Sequence, residues 1–100
     1  MSDRNALEQA FEQFHGAVRS LTMGNERLDE RLSQAWLCRL MYVRECELAD
    51  PRLAGRIAAI KRSLQAIGDL HETEQAALAA EILSTYTAIT EQLALVSCPH

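Results

Sequence analysis

Apolar side chains recur along this chain in steps of four and three. Leu7, Phe11, Phe14, Val18 and Leu21 follow that spacing, and so do Leu53, Ile57, Ile60, Leu64 and Ile67. Such steps return to one side of an α-helix at every turn, so each set predicts a helix with a narrow buried seam. Leu78, Ile82, Tyr86, Ile89, Leu93 and Val96 predict another. The helices expected from these seams cover about residues 3–22, 51–67 and 74–96. Ser2 is placed to cap the first, Asp50 the third and Thr73 the last. Pro51 follows Asp50 in the first turn, where its missing N–H costs nothing. "MGN" ends the first helix, with Gly24 suited to a left-handed C-terminal cap and Asn25 to starting the next.

The remaining helix, expected over about 26–48, has a different pattern. At roughly 100° per residue, Leu28, Leu32, Ala35, Trp36, Tyr42, Val43 and Cys46 share one side along its whole length. Leu37, Leu40, Met41 and Leu48 share the opposite side in the C-terminal half, where the N-terminal half carries Glu26, Glu30, Ser33 and Gln34. Within "AWLCRLMYV" (residues 35–43) only Arg39 is polar. A helix apolar on both sides needs covering twice, and one layer of four helices covers it once. The second cover is a second copy, a different protein, or the chain's own C-terminal "LALVSCPH". A protein-interaction surface is therefore expected at Leu37, Leu40, Met41, Tyr42, Arg44 and Leu48. Met41 suits an adaptable contact, and Tyr42 with Arg39 or Arg44 suits the centre of an interface. Arg39, inside the core stripe, is expected either to reach the edge of the bundle, to pair with Glu12, Glu81 or Glu91, or to bind an anion in the interior.

No strand signal, repeat or linker interrupts this plan. Short connections favour antiparallel neighbours, so the fold class is all-α: an antiparallel four-helix up-down bundle, or a helical dimer, as one domain over 1–100. A chain of 100 residues that is 48% hydrophobic with a net charge of −4 belongs among globular domains. Residues 1–62 are nearly neutral, whereas 63–100 hold five acidic residues and neither Lys nor Arg. This argues against direct contact of the last helix with nucleic acid or anionic lipid. The basic residues Arg52, Arg56, Lys61 and Arg62 of the third helix are expected to pair with the acidic fourth.

Little else in the sequence points to chemistry. Cys38, Cys46 and Cys98 are odd in number, none forms a C-x-x-C pair, and no leader-like segment opens the chain, so a reducing cytoplasm is expected. Cys38 and Cys46 read as core thiols. Cys98 and His100 lack a second ligand pair, while His15 and His71 stand alone, so neither metal nor other cofactor is expected. No phosphate-binding glycine loop or nucleophile elbow occurs, and no apolar run is long enough to span a membrane.

Two families resemble the chain. "RLDERLSQAWLCRLMYVREC" followed by "DPRLAGRI" looks like the first-helix and second-helix region of the small all-helical chorismate mutases. That resemblance implies a dicarboxylate-binding enzyme with Arg39 and Lys61 as interior cations and Gln92 as a late polar residue. The departure is that "MGN" and "ADP" cut to about 23 residues a helix that runs much longer in that family. In size, helix content and spare apolar face the chain is similar to small all-helical bacterial antiactivators of quorum-sensing transcription factors, of the QslA and TraM type. This implies a non-enzymatic bacterial regulator, a homodimer that sequesters a transcription factor. A chaperone for a secreted client would use similar apolar surfaces and is the alternative.

Overall fold

A computed structural model describes residues 3–97, with side chains from Arg4 to Leu95. The described residues form four α-helices and three short 3-10 turns, without strands. They are α1 (Asp3–Met23), α2 (Leu28–Cys38), α3 (Pro51–Gln65) and α4 (Glu72–Ser97). The Ser2 cap expected for α1 lies outside the described residues, as do Cys98, His100 and the side chain of Val96.

The two seams of regular spacing lie in the core, with a wider footprint than large side chains alone indicate. On α1, Leu7, Phe14 and Leu21 are buried together with Ala6, Ala10 and Ala17, while Phe11 and Val18 flank them half-buried. Leu53, Ile57, Ile60 and Leu64 of α3 are all buried. On α4 the buried line is Leu78, Ile82, Thr85 and Ile89, so a threonine occupies a core position. α1 packs mainly on α4 and α2, and α3 mainly on α4.

Helix ends follow local chemistry in most places. Asp50 caps α3 by accepting the Arg52 N–H at 2.9 Å, with Pro51 at the first helical position as expected. The other carboxylate oxygen of Asp50 accepts from Gln92 Nε2 at 2.6 Å, which ties the start of α3 to the late part of α4. Arg56 reaches Glu81 and Ser84 of α4, so the two helices run antiparallel. α1 ends without a left-handed cap, because no described residue has positive φ; Gly24 does not serve as anticipated. Nor does α2 begin at Asn25 or Glu26. It begins at Leu28, where the Glu30 carboxylate turns back to accept the Arg27 N–H at 3.3 Å. Similarly α4 starts at Glu72, ahead of Thr73, and the Glu74 carboxylate accepts the His71 N–H at 2.9 Å.

The largest departure is the second half of the expected helix over 26–48. α2 stops at Cys38, and the chain continues through 3-10 turns at Leu40–Tyr42 and Glu45–Glu47. Extended backbone at Val43 (ψ 133°) separates the first turn from the second, and extended backbone at Leu48 (ψ 138°) separates the second from α3. In a continuous helix Leu40, Val43 and Leu48 would fan out over about 140°, from Val43 through Leu40 to Leu48. Unwinding lets Leu40, Val43 and Leu48 all enter the same core. Each buried aliphatic side chain is worth about 1.5–3 kcal/mol relative to exposure. That gain outweighs the few helical hydrogen bonds exchanged for 3-10 ones at about 0.5–1.5 kcal/mol net apiece.

Candidate protein-interaction surface

The unwound stretch is fixed from both sides by polar clamps. Gln9 of α1 donates from Nε2 to the Tyr42 carbonyl at 2.9 Å and accepts the Arg44 N–H through Oε1 at 3.4 Å. From α3, Lys61 Nζ donates to the Val43 carbonyl at 2.9 Å and to Glu45 Oε1 at 2.8 Å. These contacts satisfy backbone groups that an α-helix would have satisfied internally, which is the requirement for leaving helical geometry in a partly buried place. Burial alone would raise the Glu45 pKa, but the hydrogen bond and charge of Lys61, with a backbone hydrogen bond, hold it below the ordinary glutamate value.

With the backbone held this way, the six residues expected at an interaction surface divide. Leu37 (59% exposed), Met41 (41%) and Tyr42 (57%) stand in solvent, and Arg44 is exposed beside Glu47 at 3.5 Å. Leu40 (1%) and Leu48 (9%) do not belong to the surface; they are core residues. The second apolar set of the sequence is thus partly absorbed by the chain itself and partly presented. Trp36 packs half-buried against the core at the base of this region. Leu37 at the end of α2 and Met41 and Tyr42 at the clamped stretch put three exposed large apolar side chains within six residues, the densest such run along the described chain.

Other expected core positions of this stretch also turn outward. Tyr42 and Cys46 leave the core stripe because the helix that defined it ends before them. Cys38 and Cys46 are exposed free thiols rather than core thiols. Arg39 is exposed as well. It lies across α1 at Gly16, where a Cβ would collide with its guanidinium stem, and it forms no ion pair with Glu12, Glu81 or Glu91. The residues that the chorismate mutase resemblance singled out have separate partners: Arg39 at Gly16, Lys61 at Val43 and Glu45, Gln92 at Asp50.

Phe11, His15 and Tyr86 form an aromatic group on the flank between α1 and α4 that the sequence analysis did not bring together. Phe11 stacks on His15 and on Tyr86 with centroids 5.9 and 5.5 Å apart, and His15 Nδ1 lies 3.0 Å from the Tyr86 hydroxyl. The α1 spacing of four residues between Phe11 and His15 could have suggested the pair, but not its partner 71 positions on. Among the described residues no three His, Cys, Asp or Glu side chains gather as metal ligands, and no helix is long and apolar enough to cross a membrane. The chain matches no protein-family model, no curated protein and no solved structure.

Proposed function

We propose that this chain is a non-enzymatic, protein-binding regulator of the antiactivator kind, folded as an up-down four-helix bundle and working as a homodimer. The observation that carries the reading is the exposure of Leu37 at the end of α2 and of Met41 and Tyr42 on the following segment, which Gln9 and Lys61 brace. Large apolar and aromatic side chains on a pre-ordered backbone bind with little ordering cost, the property that makes interface hot spots effective. Occupying a surface that a transcription factor needs for its own assembly requires affinity and no turnover. Neither a cofactor nor direct contact with nucleic acid enters this mechanism.

The test is affinity capture from native-host lysate with wild type and with Leu37→Glu/Met41→Glu, both checked for helicity. A DNA-binding regulator retained by wild type and lost by the variant supports the reading. Its retention by both would remove the surface from the account. A secreted client retained only by wild type would instead indicate the chaperone alternative.

A further inference from the structure

α3 and α4 enclose an open groove of about 730 Å³ that is separate from Leu37, Met41 and Tyr42. Buried Ile60 and Leu78 form its floor, and Gly55, Ala59 and Ala77 its walls. Charge along its edges is fully segregated. α3 carries Arg52, Arg56, Lys61 and Arg62 with no acidic residue; α4 carries Glu72, Glu74, Glu81 and Glu91 with no basic one. The sequence suggests that these two helices neutralise one another. Among the described residues a single ion pair, Arg56–Glu81 at 3.2 Å, crosses between them, and Lys61 turns away to Glu45. Arg52 and Glu74 therefore line the two rims without an ionic partner among the described residues.

We propose that a second copy of this chain seats on the groove, with α3 of each protomer over α4 of the other. A two-fold axis along the groove brings each basic helix onto the partner's acidic helix, so one complementary contact is made twice. A partner helix of one charge sign would match one rim and meet like charge on the other, which disfavours it. Gly55, Ala59 and Ala77 have little side-chain volume to hold the incoming helices apart. This surface leaves Leu37, Met41 and Tyr42 available, and the inference stands whether or not they bind a regulator.

The experiment is sedimentation equilibrium of the full chain in three forms: wild type, Arg52→Glu/Arg56→Glu and Glu74→Arg/Glu81→Arg, the last two alone and mixed in equal amounts. Wild type is expected to be dimeric at micromolar concentration. Each reversed variant is expected to dimerise at least about tenfold more weakly, since like charges then face each other. Their mixture is expected to regain dimers, because both contacts are then complementary again. A monomeric wild type, two variants that dimerise as wild type does, or dissociation by Leu37→Glu/Met41→Glu instead would overturn the proposal. Should either charge variant lose helicity by circular dichroism, the salt dependence of the wild-type dimer decides. Dissociation strengthened at least about tenfold by high salt is expected, and a salt-independent dimer would refute the electrostatic interface.

Discussion

Leu37 and Leu40 stand three residues apart in a stretch that reads as one helix, where they would share a face and respond alike to truncation. The structure gives them opposite surroundings: Leu37 is 59% exposed and Leu40 1%. Leu40→Ala removes side-chain volume from a core also lined by Val43 and Leu48. Both the lost transfer energy and the cavity left behind count, and Leu→Ala at a fully buried site costs about 2–5 kcal/mol. In a domain of this size 1 kcal/mol moves the melting temperature by about 4–8 °C, so a fall of at least about 8 °C is expected. Total stability of small domains is about 5–15 kcal/mol, which makes this a large fraction of the whole. Leu37→Ala leaves no cavity and is expected within about ±0.5 kcal/mol of wild type. Urea unfolding followed at 222 nm, at one fixed protein concentration, measures both. Equal losses for the two variants would mean that the backbone does not unwind after Cys38, and the account of the exposed cluster would fail with it.

Further predictions test other parts of the fold. Thr85 is fully buried with no hydrogen-bond partner for its hydroxyl among the described residues; Thr85→Val relieves that desolvation and is expected to stabilise by about 1 kcal/mol. A destabilised variant would show the hydroxyl to be bonded. Lys61→Met removes both the cation of Glu45 and the donor to the Val43 carbonyl, so faster amide exchange at residues 40–47 is expected, and unchanged exchange would show that Lys61 is not a clamp. Because the folded-state pKa of Glu45 lies below its ordinary 4.5, its pairing stabilises fully above that value and less as pH falls through the folded pKa. The melting-temperature gap between wild type and Lys61→Met should therefore narrow on acidification, whereas a gap that widens would contradict the pairing. Cys38 and Cys46 are exposed, and peptide mapping after brief native alkylation should find both modified. Protection of either would restore it to the interior.

Sequence periodicity was informative wherever one helix met one core. The buried line of α3 and its Asp50–Pro51 start could be read directly, because capping and seam formation depend on residues within a turn of each other. The same reasoning failed after Cys38 for a physical reason. From Glu26 to Leu48 there is no Gly or Pro, so nothing local ends the helix. What ends it is long-range: Gln9 and Lys61 supply hydrogen bonds from α1 and α3, and the core accepts Leu40, Val43 and Leu48 at once. The exposed part of the candidate surface, Leu37, Met41, Tyr42 and Arg44, was legible as excess apolar and interface-forming residues. Its division from Leu40 and Leu48 was not, since a helical wheel cannot represent a change of backbone. Burial of Thr85 and of three alanines on α1 was missed because the seams were traced through large side chains alone.

The proposed function has the exposed residues Leu37, Met41 and Tyr42 remove a regulator from its DNA by occupying the regulator's own assembly surface. Its most direct test is a titration of the captured regulator, bound to labelled operator DNA, with this protein while fluorescence anisotropy reports occupancy. The account predicts stoichiometric loss of DNA binding with wild type and none with Leu37→Glu/Met41→Glu. Undiminished occupancy with wild type, or equal displacement by the variant, would contradict it.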